Sequence, residues 1–586
     1  MKKLIFLSLN WELFGVLVWT AIAAMLRFAN LDVKPIWTDE FSTLVFSLGN
    51  SFQGVPLDRP ISLETLLEPL KPHPNATVED AIAHLLTESN HPPIYFAFSH
   101  YWMQMFAPIQ GYVSVWSARS LAAFFGTLSV PAIYGLGYLS FRSRLVGQLA
   151  AAMMAVSPYS IYLAQEARHY TLAILLVIAS LSCLIVAARH VKKMIYLPVW
   201  LGLTWIFVNS LGIAIHYFFA LTLVAESLVL IAILWIKLNS QQAKDKKNNF
   251  LSAFNFSFLF PIIGTIIGSL VWLPIYTSSN YGSELTQWIQ TKDRVGLAWI
   301  SPIFQAFAGW ITMVSLLPVE SSSISVVIIS GLVMVIFFIW AIPLFIRGIK
   351  ICYSLPENRL EIVVLGGFIL TAIALFFSFT YFLGIDLTRG ARYNFVYFPA
   401  VIVLLGAILA FTFNISTVKS QFFNLPAIKI SGKKAVILIL LMGLFSSLTV
   451  VVNLGYQKYY KPELLAEVIQ KTSQNPVLIA TTHNTHVQTG EIMGIAWEWK
   501  SKKSKENLIT TSPIFLLAHQ PQSAPEMPTI TLQKTLDKLQ KPLDLWLVNF
   551  HTNVNLTAQN CAIDSRSLPF IDGYNYQLYH CFKSRE

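Results

Sequence analysis

The chain has 586 residues, of which 55% are hydrophobic and only 12% charged, with a mean hydropathy of +0.58. Soluble domains carry about twice that share of charge, so the composition excludes a soluble globular protein and indicates a multi-pass membrane protein. The net charge of +11 does not gather into a basic face, and neither a Walker A motif nor a GxGxxG with a following ribose-binding acid occurs, so nucleic-acid and nucleotide-driven functions fall away.

After Met1-Lys2-Lys3 the first apolar run covers 13–30. Ala21-Ile22-Ala23 has the small residues of a signal-peptide cleavage site, but the many later runs favour an uncleaved first span. Ile36-Trp37-Thr38-Asp39-Glu40 follows at once, so two carboxylates stand where the chain leaves the bilayer. Acids are costly in lipid and cheap in water, so a pair at that boundary is either a solvated interfacial pair or a functional one.

Apolar runs of about 20 residues cross a hydrocarbon core. Ten more lie near 117–139, 145–163, 170–188, 196–214, 217–236, 253–276, 324–346, 361–383, 394–413 and 435–452, giving about eleven spans. Lys2/Lys3, Arg142/Arg144, Arg189/Lys192/Lys193, Lys237/Lys244/Lys246/Lys247, Arg347/Lys350/Arg359 and Lys433/Lys434 fall in alternate loops, which are therefore cytoplasmic. The other loops carry Asp39, Glu40, Glu166, His216 and Asp386 and face outward.

One run breaks the count. Ile94 to Ala107 follows Pro92-Pro93 and is about 14 residues long; were it a span, every later basic loop would face out. Parity predicts that it lies in the outer interface as an amphipathic helix, which makes 31–116 one large outer loop with a second surface helix at Leu63–Leu70. The outer segment 277–323, rich in Trp and Pro, is placed to cover a cavity.

From Asn453 to Glu586 Lys, Asn, Gln and Pro become frequent, and Val477–Ala480 and Leu543–Val548 read as strands. The fold class is thus an all-α polytopic membrane protein, 1–452, followed by a small soluble α/β or α+β domain, 453–586, placed outside by parity. Cys561 and Cys581 both fall in that domain, where a disulfide can form; two buried thiols are the alternative.

The polar residues at the outer span ends carry the candidate chemistry. They are Trp37, Asp39 and Glu40; Asn90-His91-Pro92-Pro93; Gln165-Glu166-Ala167-Arg168-His169-Tyr170; His216-Tyr217; and Arg389-Gly390-Ala391-Arg392-Tyr393. On a helix Arg389, Arg392 and Tyr393 share a face at i, i+3 and i+4, as do Glu166 and Tyr170. Arginine forks suit phosphate, and two of them outside, against the positive-inside trend, require an anion: a substrate phosphate, a lipid headgroup or Asp386. Glu166 and Arg168 can equally form a local ion pair. His91 and His216 read either as hydrogen-bonded interface residues or, with a carboxylate, as ligands of a divalent cation, the one cofactor the residues leave open; no HxxxH spacing supports the second reading. An ionised Asp39 can accept a proton as a general base. On a helix Glu40 points about 100° away, so the two acids do different work.

Trp37-Thr38-Asp39-Glu40 after a first span, His91-Pro92-Pro93 with Tyr95, Arg119 before the second span, and Ser157-Pro158 leading to Gln165-Glu166-Ala167-Arg168-His169-Tyr170 together resemble the family 39 glycosyltransferases. These are GT-C class membrane enzymes, grouped with the protein O-mannosyltransferases and the aminoarabinose transferases of lipid A. The likeness is best over 30–220, weaker over 220–413, where Arg392-Tyr393 matches a late Arg-Tyr element, and absent from the C-terminal domain. It implies transfer of a sugar from a polyprenyl-phosphate carrier to an acceptor on the extracytoplasmic side, with Asp39 as base and the Pro-Pro motif on an interfacial helix. Some relatives carry Glu-Lys before the two prolines where this chain has Asn90-His91; if that glutamate ligates a metal there, the ligand is missing here.

The expectation is therefore an inverting glycosyltransferase of the cell membrane, plasma or inner. Asp39 and Glu40 would be catalytic, and His91, Glu166, Arg168, Tyr170, His216, Arg389, Arg392 and Tyr393 would bind substrate. Its partners would be a polyprenyl-phosphate-linked donor, an acceptor the sequence does not identify, and membrane lipids. A transporter or flippase for lipid-linked glycans is the alternative, but such proteins show internal repeats and midplane polar residues, whereas here no repeat is found and the polar residues sit at one face. A non-catalytic assembly subunit is the third reading.

Overall fold

The computed structural model describes residues 2–239, 247–272, 285–291, 294–416, 418–420, 428–506, 512–521 and 523–583. Helix α1 (Lys2–Phe28) leads to the first outer loop, which holds α2 (Thr38–Ser47), β1 (Ile61–Ser62), α3 (Leu63–Leu66), α4 (Val78–Glu88) and α5 (Ile94–Gln104). The bundle continues with α6 (Val115–Phe141), α7 (Arg144–Val156), α8 (Pro158–Ala164), α9 (Tyr170–Lys193), α10 (Val199–Ile215), α11 (Phe219–Leu238) and α12 (Lys247–Leu270). Ser301–Ile311, Ile324–Ser354, Arg359–Phe382, Phe398–Phe413 and Gly432–Val451 complete it.

Among the described residues six helices are long and apolar enough to cross a membrane: α6, α9, α11, Ile324–Ser354, Arg359–Phe382 and Gly432–Val451. The α7–α8 pair, bent by 58°, passes the same test only when its two helices are taken together, as a broken span or a re-entrant loop, and three shorter apolar helices accompany them. Among the described residues each span-length apolar run coincides with a helix over most of its extent (273–276 of the run 253–276 lie outside them), but length and composition alone do not reach eleven crossings. Ile324–Ser354 exposes Ile328, Ile329, Leu332, Val335 and Ile336, an apolar face that only lipid can solvate. The chain is a multi-pass membrane protein.

Helix α5 has 11 residues, about 16 Å at a helical rise, against a hydrocarbon core of about 30 Å. Its exposed Phe98 and Tyr101, with Met105 just beyond, form an apolar fringe that fits the interfacial reading. The expected surface helix at Leu63–Leu70 is different: one α turn and one 3-10 turn, with Leu63, Leu66, Leu67 and Leu70 buried. These leucines pack into a core shared with the C-terminal domain.

That domain is a mixed sheet of six strands in the order β1-β5-β4-β6-β8-β7. Here β4 is Val477–His483, β5 Ile514–His519, β6 Leu543–Val548, β7 Cys561–Ile563 and β8 Tyr576–Cys581; β2 (Val418–Ser420) and β3 (Ile428–Ile430) form a separate antiparallel pair. The central β5-β4-β6 strands run parallel, while β8 and β7 are antiparallel. Val477 and Ile479 face one core and Leu478 and Ala480 the other, which is why β4 is apolar on both faces. Helix His486–Glu506 covers the first face and Met527–Lys538 the second. Cys561 and Cys581 are joined in a disulfide between β7 and β8.

The first outer loop supplies β1, which pairs antiparallel with β5 through Ile61–Phe515 and Ser62–Ile514. The 453–586 domain is therefore completed by a strand from 31–116.

Candidate active site

Asp39 stands in the first turn of α2, after an extended Trp37, and its side chain is 31% exposed. Its Oδ2 lies 3.4 Å from Arg392 Nη2 and 4.0 Å from Arg168 Nη2. Two guanidiniums far apart in the sequence thus converge on one carboxylate.

Arg168 is fixed from several sides. Its Nη1 donates to the Asp39 carbonyl (2.9 Å) and to Thr43 Oγ1 (3.1 Å), and its Nη2 contacts His91 Nε2 at 2.8 Å. A guanidinium only donates, so His91 Nε2 accepts and Nδ1 carries the proton towards Ser89 Oγ at 3.0 Å. Burial, then the nearby Arg168, lowers the His91 pKa well below its ordinary value, which keeps the ring neutral in this role.

Arg392 sits in an aromatic cage, 4.9 Å from the Trp37 ring, 5.0 Å from Trp288 and 5.3 Å from Tyr393. Its carbonyl accepts from the Tyr159 hydroxyl at 3.0 Å, while its Nε has no partner among the described residues. Ring faces hold the cation but leave its N–H edge for an anion.

The helical face expected of Arg389, Arg392 and Tyr393 does not form. Two 3-10 segments, Leu387–Arg389 and Ala391–Val396, meet at Gly390 and turn the two arginines apart. Arg389 donates to the Trp288 carbonyl at 2.5 Å and lies 3.7 Å from Asp386, which also pairs with Arg294 at 2.8 Å. Of the two residues expected to share a phosphate, only Arg392 faces Asp39.

Glu40 also departs from expectation. It is 1% exposed, and its carboxylate takes a bidentate fork from Arg119, 2.7 Å on each oxygen, plus the Ala167 amide at 2.8 Å. Arg119 further donates to the carbonyls of Leu31, Lys34 and Pro35. This cluster ties α6 to the chain entering α2 and to the turn before α9, and it engages both oxygens of Glu40 in buried hydrogen bonds.

Residues 165–169 are not helical, so Glu166 and Tyr170 do not pair across a helical face. The ion-pair partner of Glu166 is Lys458, not Arg168. Lys458 lies 4.3 Å from the Trp37 ring and 4.9 Å from the Tyr162 ring, and Tyr162 stacks on Tyr456 at 4.0 Å. Lys458 was absent from the expected site. Its signal was present, however: Lys458 and Lys461 follow the last apolar run on the outer side, against the positive-inside trend that singled out Arg392.

His216 ends α10, and its Nδ1 accepts the Phe218 amide at 3.0 Å. Its ring lies 4.7 Å from His169 and 5.6 Å from Tyr170, and His169 lies 5.5 Å from His91. Tyr393 closes this aromatic wall, 6.2 Å from His216. Among the described residues no three His, Cys, Asp or Glu side chains are placed to hold a metal ion. The C-terminal domain reaches the same place: Thr38 lies against Gly490 of helix His486–Glu506, and His486 stacks on Phe52 at 4.9 Å. A cavity of about 660 Å³ is lined by Gln290, Thr291, Arg294 and Trp299 on one side and Thr380–Ile385 on the other; of segment 277–323, expected to cover a cavity, residues 277–284, 292 and 293 lie outside the described residues.

No protein-family model and no curated protein matches the chain. Among solved structures, ArnT from Cupriavidus metallidurans bound to undecaprenyl phosphate resembles it with a TM-score of 0.45 at 12% identity, over 97% of this chain and 98% of that one. The same protein in its apo state gives 0.46 at 11%, over 98% of both chains. The archaeal oligosaccharyltransferase AglB from Archaeoglobus fulgidus, in complex with an inhibitory peptide and a dolichol-phosphate, gives 0.41 at 11%, over 83% of this chain and 63% of that one.

Proposed function

We propose that the protein transfers a sugar from a polyprenyl-phosphate-linked donor to an acceptor hydroxyl on the extracytoplasmic face, with inversion and with Asp39 as general base. One observation carries the reading: a partly exposed carboxylate, at the boundary of an apolar bundle, lies between the guanidiniums of Arg392 and Arg168. Arg392 has the N–H edge to spare for a phosphate, and the motif resemblance names the same acid.

The donor phosphate competes with Asp39 for Arg392 and loosens the carboxylate's ion pair as it binds. Asp39 then takes the proton from the acceptor hydroxyl while that oxygen attacks the anomeric carbon. The bond from that carbon to the phosphate oxygen breaks, and its electron pair leaves with the polyprenyl phosphate. A phosphate leaves without a proton when cations meet its charge, so a single carboxylate suffices. Glu40 holds Asp39 in place through Arg119 and α2 and does not react. Tyr170, His216 and Tyr393 line the donor pocket, His91 orients Arg168, and Glu166 holds Lys458.

The test is Asp39→Asn in nanodiscs, with a polyprenyl-phosphate sugar as donor and extract of the source membranes as acceptor. Loss of the base is expected to lower transfer about 100-fold or more, while donor binding is kept or strengthened because the arginines lose a competitor. Near-native turnover by the folded variant would exclude Asp39 as base, and a product of retained anomeric configuration would exclude one-step displacement. Removing a charged hydrogen bond in Arg392→Ala is expected to weaken donor binding by about tenfold to a hundredfold, whereas Arg389→Ala leaves it within about threefold because its partners are Asp386 and Trp288.

A further inference from the structure

We propose that Lys458, carried by the segment that joins the last apolar helix to the C-terminal domain, is a third cation for the donor's phosphate and works alongside Arg392 and Arg168. The proposal rests on the reading of this site as a polyprenyl-phosphate donor site.

Four observations place it there. Lys458 Nζ and the Arg392 guanidinium both contact the Trp37 ring, at 4.3 and 4.9 Å, and the charge of Asp39 acts on both, so the two cations border the same carboxylate. The lysine side chain is 13% exposed, buried enough for its charge to act strongly and open enough to be reached. An ammonium has three N–H donors, and Glu166 is the one carboxylate paired with it; the Trp37 and Tyr162 faces attract its charge without the strength of a hydrogen-bond acceptor, so an anion can take the donors aimed at them. Around Asp39, Glu40 and Glu166 stand the buried Arg119, Arg168 and Lys34 and the part-buried Arg392 and Lys458, five basic side chains against three acids, a balance that suits an anionic guest. Burial lowers the pKa of Lys458 to about 7, and an arriving anion raises it again.

The segment itself is pinned. The Gln457 amide donates to Glu320 at 2.6 Å, the Tyr456 hydroxyl to Thr312 at 2.6 Å, and Lys461 pairs with Asp572 at 3.0 Å. Lys458 is therefore presented from a fixed backbone, and the C-terminal domain takes part in donor recognition.

Binding of undecaprenyl phosphate and of undecaprenol, the same chain without phosphate, to the full-length protein in nanodiscs tests this. Lys458→Met keeps the stem over Trp37 and Tyr162. It should lose about tenfold or more of the phosphate affinity, as expected for one charged hydrogen bond, and bind undecaprenol like the wild type. Lys458→Arg should retain the preference for phosphate, and Lys458→Gln should lose it, which keeps the test alive if the methionine variant does not fold. Unchanged phosphate preference in Lys458→Met and Lys458→Gln overturns the role of Lys458 alone, as does equal loss of both ligands, which marks a packing residue. A wild type that does not prefer undecaprenyl phosphate to undecaprenol overturns the donor reading as well.

Discussion

Glu40 accepts three hydrogen bonds with almost none of its surface exposed, while Asp39, one residue earlier, is 31% exposed and held by ion pairs at 3.4 and 4.0 Å. The two acids should therefore fail differently. Glu40→Gln leaves Arg119 buried without its counter-charge, a defect that costs about 3–5 kcal/mol, and thermal unfolding in detergent should show a large drop in the melting temperature. Asp39→Asn should unfold within about 1 kcal/mol of the wild type and lose transfer instead. The reverse pattern would exchange their roles. Acid pH reads the histidines in the same way. The native His91 pKa lies well below its unfolded value near 6.5, so between the two the unfolded chain binds the proton and the native chain does not. Its contribution to stability is complete above pH 6.5 and declines as pH falls further. Melting measured at about pH 7.5 and about pH 5 should show a smaller acid loss in His91→Gln than in the wild type.

At the scale of elements, the break between α7 and α8 positions Glu166 and Arg168. Pro158 cannot supply a helical N–H and keeps Ser157 extended, so the path turns by 58°. Arg27, at the end of α1, is fully buried and donates to the carbonyls of Met154 and Ala155 at the end of α7 and to Ser160 Oγ at the start of α8. A guanidinium there satisfies carbonyls that the helix end cannot and meets the negative end of its dipole. Gln165 Nε2 adds bonds to the carbonyls of Leu26 and Ala29. Arg27→Lys is therefore not conservative, since one ammonium cannot span this fork. It should lower stability by about 1–3 kcal/mol and reduce transfer through misplaced Arg168, as read by melting and by donor affinity together. The helices themselves were legible because an apolar run of span length has few other structures open to it. The 3-10 segments around Gly390 were not, because their shape depends on Tyr159, which donates to the Arg392 carbonyl, and on Trp310, which donates to the Tyr397 hydroxyl, both from elsewhere in the chain. Reading Arg389, Arg392 and Tyr393 as one helical face followed from spacing alone, and spacing does not report a broken helix.

At the scale of the molecule, the pairing of β1 with β5 was the least legible feature, since two strand residues leave no periodicity and their partner lies more than 450 positions away. It has a consequence for sidedness. The segments 31–116 and 453–586 share a sheet and a core, so they occupy one side of the membrane. The positive-inside expectation assigns the other side to the cytoplasm. The inner ends agree among themselves: Arg189, at the end of α9, pairs with Glu361, at the start of Arg359–Phe382, at 2.9 Å. Cysteine labelling decides the layout. The native free thiols Cys183 and Cys352 are buried, and Cys561 and Cys581 are joined, so an introduced thiol is read against a low background. Asn75→Cys in the first outer loop and Thr557→Cys in the C-terminal domain, both exposed, should react with an impermeant maleimide added to intact cells. Glu357→Cys, exposed in the loop before Arg359, should react only after the membrane is opened. Labelling of Glu357→Cys and Thr557→Cys from the same side would break the parity on which the extracytoplasmic site rests. Labelling of Asn75→Cys and Thr557→Cys from opposite sides would contradict the shared sheet itself.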